Sequence, residues 1–207
     1  MVSAALLHRY RTQLPVCYWK PIQTGIEQDD DTAEVRRLAS ACDQEIFGEG
    51  VRLPRPVSPH LAAEWAGQTI DMHSLTALPA GSAGTQPDKR WIVEGAGGAL
   101  VPVNKTALMT DLMALLALPV LVVSRNALGT INHTLLTIEI LRARGLRVVG
   151  IVMCGDEGRD NAKAIEHYGK IPVISHVPRF DKVTPEGLQH WAKTDFDREG
   201  RLLEFFR

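Results

Sequence analysis

At 207 residues the chain has the length of one α/β domain, and 23 Lys and Arg against 24 Asp and Glu leave a net charge of −1. No basic excess exists to neutralise a nucleic-acid backbone or to dock on an anionic membrane. A hydrophobic fraction of 45% excludes a chain disordered throughout.

Short, continuous apolar runs predict strands at 16–19, 91–93, 120–123, 148–153 and 172–174. Helical spacing falls between them, first through Val35, Leu38, Ala39 and Cys42, then through Ile131, Leu135, Ile138 and Leu141. Apolar rather than alternating strands predict a sheet covered on both faces, so the expected fold is a single doubly wound, mostly parallel α/β domain over 1–207. The stretch 48–87 is rich in Pro and Gly, with a helix expected at 61–66 and a flexible loop at 79–87. The tail, 185–207, reads as a packing helix: Lys193, Arg198, Arg201 and Arg207 are balanced by Asp195, Asp197, Glu199 and Glu204, unlike a membrane-binding face. The longest apolar run, 112–123, is interrupted by Pro119 and is too short to cross a bilayer. Cys17, Cys42 and Cys154 form no C-x-x-C pair and Met1 leads into no charged-then-apolar leader, which predicts a cytoplasmic protein.

Ligands of open α/β sheets bind beyond the C-terminal ends of the strands, so those ends carry the functional reading. The first is Lys20-Pro21, where a lysine at a strand exit is ordinarily solvated. Further on, Asp31 with Glu34 three residues later has the spacing of a capping box, and spacing alone favours that role over a hard-cation ligand. Glu94-Gly95-Ala96-Gly97-Gly98 is more telling. A carboxylate straight after a strand and before a glycine turn is similar to the second metal-coordinating element of P-loop enzymes. Gly129-Thr130 opens a predicted helix whose free N–H groups suit a carboxylate or phosphate, or else Thr130 is a plain N-cap with Asn132 and His133 at the surface. No H-x-H, H-E-x-x-H or G-x-S-x-G pattern supports a zinc or serine hydrolase.

In combination, Tyr18-Trp19-Lys20-Pro21-Ile22-Gln23-Thr24-Gly25, Asp31-Thr32, Ser58-Pro59-His60, Val93 to Gly98 and Gly129-Thr130-Ile131-Asn132-His133 resemble the ordered motifs of the dethiobiotin synthetase family. The likeness runs from Met1 into the 180s. It implies a sheet of the P-loop NTPase type and a homodimer that closes a cyclic urea on 7,8-diaminononanoate, using CO2, ATP and Mg2+. By the same resemblance Lys20 would stabilise charge on the carbamate and transferring phosphoryl group, and Thr24 would hold the diamine. Asp31 and Glu94 would hold Mg2+, with Gly95, Ala96 and Gly97 beside the nucleotide. The backbone of Gly129, Thr130, Ile131 and Asn132 would receive the substrate carboxylate across the subunit boundary. Cys154, Gly155, Pro178, Arg179, Phe180 and Glu186 would lie on the nucleotide side.

Two departures stand out. The chain holds no G-x-x-x-x-G-K-[ST] run, the loop whose N–H groups cradle phosphate. The expectation is therefore an N-terminally truncated sequence, inactive as it stands, with two sheet edges left open where a central strand belongs. Cys154 occupies a place where the family often has an adenine-reading Asn, and a small buried cysteine is its other reading. The alternatives are a non-catalytic α/β homodimer that has lost its nucleotide site, and more remotely a partitioning-type ATPase.

Overall fold

The computed structural model describes residues 1–83, 88–156 and 159–206. The chain opens with α1 (Val2–Tyr10), β1 (Val16–Trp19), β2 (Ile22–Thr24) and α2 (Asp31–Ala39). It continues through β3 (Ile46–Phe47), β4 (Val51–Leu53), α3 (Pro59–Trp65), α4 (Met72–Ala83) and β5 (Arg90–Val93). The second half comprises α5 (Met109–Leu116), β6 (Val120–Arg125), α6 (Thr130–Ala143), β7 (Val148–Cys154), α7 (Arg159–Gly169), β8 (Val173–Val177) and α8 (Pro185–Thr194).

Every strand pairing is parallel. The order is β3-β1-β5 in one sheet, β6-β7-β8 in another, and β2-β4 in a small ribbon. The sheet is divided, with the two open edges that the sequence predicts: β5 and β6 are not hydrogen-bonded, and both line one hollow of ≈ 920 Å³ with Met1, Ser3 and Leu112. Open edges of this kind leave a row of backbone N–H and C=O groups without ladder partners.

Helices on both faces supply the core. Leu7 and Tyr10 of α1, Leu38 of α2, and Leu188 and Trp191 of α8 pack on one side of β1 with Phe196. Ile138, Leu141 and Ile165 pack against Ile151 and Met153 of β7. A third cluster joins Ile22 and Leu53 of the ribbon to Ala62, Met109 and Leu112. Each predicted strand is present within a few residues, because an uninterrupted apolar run is a strand wherever both sheet faces are covered.

Three expectations need correction, and three strands lie outside the predicted set. The 79–87 loop is helical to Ala83, where α4 ends, and 84–87 lie outside the described residues. The tail is not one helix: α8 stops at Thr194 and a 3-10 turn, Leu203–Phe206, closes the described chain. The helix read through Cys42 ends at Ala39, where Ser40 adopts the left-handed conformation. Finally, β2, β3 and β4 are too short to register as apolar runs and owe their existence to tertiary pairing. No helix among the described residues is long and apolar enough to cross a membrane.

Candidate active site

Parallel pairing of β1 with β5 sets Trp19 opposite Val93. The next residue of each strand, Lys20 and Glu94, therefore leaves the sheet on the same rim. Lys20 Nζ lies 3.0 Å from Glu94 Oε1, 3.4 Å from the Gly95 carbonyl oxygen and 2.5 Å from Asp31 Oδ2. Three N–H donors meet three acceptors, and Lys20 is only 5% exposed. The solvated lysine suggested by its position at a strand exit is instead a buried charge, compensated by two carboxylates that keep partial contact with solvent.

Asp31 is free for this because it does not cap α2. The cap is Asp30, whose Oδ1 accepts from the backbone N–H groups of Thr32 (2.9 Å) and Ala33 (3.1 Å). Glu34, expected to complete a capping box with Asp31, pairs with Arg37 at 2.7 Å. A run of three aspartates offers three candidate caps, and only the entry angle of the chain chooses among them.

Glu94 is held from its other oxygen as well. Oε2 accepts from Ser3 Oγ of α1 (2.5 Å) and from the phenol of Tyr18 on β1 (3.3 Å). Burial, reinforced by the charges of Glu94 and Asp31, keeps the Tyr18 phenol far above its ordinary range, so it remains a donor. Neither partner stood out in the sequence. Tyr18 sits inside an apolar strand and reads as core, whereas Ser3 lies 91 residues from the carboxylate it meets.

Beyond Glu94 the chain turns sharply. Gly97 has φ +77°, and a Cβ there would stand 2.9 Å from Val101 Cγ2, so glycine is required. Ala96 is buried in the cluster beneath the turn, whereas Gly95 and Gly97 open on the hollow between β5 and β6, as does Cys154 at the end of β7.

The remaining candidates are spread more widely. Thr24 ends β2, half-buried, in the ribbon that follows Lys20. Gly129 (φ +90°) is the residue preceding α6, so Thr130 is not its cap but its first residue, buried, with Ile131 and Asn132 in the same turn. Gly155 follows β7 and donates to the Val177 carbonyl of β8. Pro178 and Arg179 are exposed just past β8, and Glu186 is exposed in the first turn of α8. Phe180 stacks edge-on against Trp191 at 6.1 Å, a core contact. Among the described residues, no hydrogen bond or ion pair of the Lys20 cluster reaches the α6 entry or the region after β8.

No group of three or more His, Cys, Asp or Glu close enough to hold a metal by themselves occurs among the described residues. Two carboxylates do converge, however. Asp31 Oδ2 and Glu94 Oε1 share one ammonium and so lie no farther apart than the sum of their distances to it. Mg2+ is commonly held by one or two carboxylates, with water and substrate phosphate completing its shell. The donor set suits that ion and lacks the imidazoles or thiolates expected of zinc.

A model described as an AAA domain matches residues 1–187. The ATP-dependent dethiobiotin synthetase BioD of Agrobacterium fabrum is 42% identical over 199 residues, spanning 94% of this chain and 89% of that protein. The chain belongs to the dethiobiotin synthetase family. The synthetase of Brucella ovis is 41% identical over 198 residues, covering 94% of this chain and 86% of the relative. Among solved structures, the MinC:MinD cell division complex of Aquifex aeolicus superposes with a TM-score of 0.51 at 13% identity, over 93% of this chain and 80% of that one. At that identity the likeness concerns the fold alone, and it agrees with a dethiobiotin synthetase built on a mostly parallel, P-loop NTPase-like sheet.

Proposed function

We propose that the chain serves ATP-dependent carboxylation and ring closure of 7,8-diaminononanoate to dethiobiotin, in the cytoplasm and as a homodimer. The observation that carries this reading is the buried Lys20 ammonium between Asp31 and Glu94 at the exit rim of the sheet. In the reaction, one substrate amine takes up CO2 as a carbamate, whose oxygen attacks the γ-phosphorus of ATP while ADP departs. The second amine then attacks the carbamoyl carbon, phosphate leaves, and the urea ring closes. Such chemistry asks the protein for positioning and charge neutralisation rather than for a nucleophile.

Lys20 answers that need. Its ammonium is desolvated, and exchanging one carboxylate partner for a carbamate or phosphoryl oxygen would place a full positive charge where negative charge develops. Asp31 and Glu94 would hold Mg2+, which supplies charge neutralisation at the phosphates. Thr24, on the ribbon beside this rim, would orient the diamine, and the N–H groups of Gly129 to Asn132 would take the substrate carboxylate from the partner protomer. The hollow bounded by β5, β6 and the α1 start is lined mostly by apolar side chains and would take the joined strand, and the triphosphate would lie at its exit-rim end, with Gly95, Ala96 and Gly97 on one side and Cys154 and Gly155 on the other. Pro178, Arg179, Phe180 and Glu186 would lie toward the base.

The absence of a G-x-x-x-x-G-K-[ST] run favours a second reading, a non-catalytic homodimer that keeps the diamine pocket. Mass-spectrometric detection of labelled dethiobiotin from 13C-bicarbonate, diamine and MgATP separates the two. No product is expected from these 207 residues alone. Product is expected when an apolar strand and a phosphate-binding loop are joined ahead of Met1. A joined protein that binds the diamine indifferently to ATP and forms no product overturns the enzymatic reading.

A further inference from the structure

Glu94 has more partners than charge balance requires. Lys20 neutralises Oε1 at 3.0 Å, yet Oε2 is met separately by Ser3 and by Tyr18. Tyr18 is fully buried in β1, paired with Ile92 of β5 and packed in the main core cluster, a place where phenylalanine would fill the same space. A buried hydroxyl is tolerated there only because it has an acceptor, and its acceptor is the carboxylate. The bond also joins two adjacent strands of a rigid sheet, so it fixes the rotation of the carboxylate as well as its distance.

We propose that Tyr18 is a positioning residue: its phenol O–H holds Oε2 of Glu94, so that the carboxylate presents Oε1 toward Asp31 at the exit rim. Ser3 grips the same oxygen from α1, but Tyr18 does so from within the sheet that carries Glu94. With Oε2 held, the carboxylate meets a divalent cation without first losing rotational freedom. This inference rests on the reading of Glu94 as a cation ligand.

The test is Mn2+ binding to the unaltered chain, to Tyr18→Phe, to Glu94→Ala and to the double variant, followed by electron paramagnetic resonance of free Mn2+. Circular dichroism checks that each variant is folded. Tyr18→Phe removes one oxygen and keeps the ring, and is expected to weaken Mn2+ binding about three- to tenfold, the worth of one ordinary hydrogen bond, because the 3.3 Å contact is long and Ser3 still holds the same oxygen. On the Glu94→Ala background the same change is expected to do nothing further, because a positioning effect disappears with the group it positions. A merely structural tyrosine would produce equal losses on both backgrounds. Unchanged or tighter binding by Tyr18→Phe, with Glu94→Ala clearly impaired, overturns the role of Tyr18. Binding that is absent, or indifferent to Glu94→Ala, overturns instead the cation-ligand reading on which it rests.

Discussion

Trp19 and Val93 stand opposite one another on β1 and β5, and this pairing puts the next residues, Lys20 and Glu94, within 3.0 Å at their charged atoms. Parallel neighbours end on the same rim, so two residues 74 apart in sequence become one ion pair without any loop to guide them. Asp31 completes the group from the first turn of α2.

Replacing Lys20 by alanine leaves two carboxylates facing each other across a buried gap. The expected loss of stability is about 1–2 kcal/mol, reduced from that of a fully buried pair because both carboxylates are about one-third exposed. Urea unfolding measures it. In the loop-bearing protein the same substitution is expected to reduce turnover by more than about tenfold, a barrier change of about 1.4 kcal/mol. Turnover within that margin removes Lys20 from the mechanism.

Asp30 and Asp31 are adjacent but should respond differently. Asp30→Ala removes the α2 cap and is expected to cost about 1 kcal/mol of folding stability with Mn2+ affinity unchanged. Asp31→Asn is expected to weaken Mn2+ binding. Parallel thermal melts and metal titrations of the two variants read both effects.

His8 predicts a pH dependence. It is 2% exposed on α1, its Nε2 lies 2.9 Å from the Leu38 carbonyl oxygen, and burial holds its pKa below the ordinary 6.5. The unfolded chain then binds a proton at a higher pH than the native state does. Stability from this group is full above pH 6.5 and is lost as pH falls below it. Urea midpoints taken from pH 7.5 down to 5 should show this slope in the unaltered chain and a shallower one in His8→Gln.

Gly97→Ala tests the turn behind Glu94. A Cβ there would crowd the Val101 side chain at 2.9 Å from Cγ2 and hold a non-glycine residue at φ +77°, at an expected cost of roughly 1–3 kcal/mol. Gly98→Ala, one residue on, has open space for its methyl and should be close to neutral, which makes it the matched control in thermal denaturation.

The sequence alone determined the parallel strands and the place of Glu94, because a strand buried on both faces must be continuously apolar, and an acid straight after one is conspicuous. Its motifs, taken together, determined the family. Periodicity did not reveal β2 and β4, which are three residues each and stand only because they pair with one another. The choice of Asp30 as cap, the burial of Lys20, and the grip of Ser3 and Tyr18 on Glu94 were decided only by the tertiary structure. Patterns along a chain report which side chains avoid water. Which oxygen meets which proton depends on where separate elements end in space, and local spacing does not encode that.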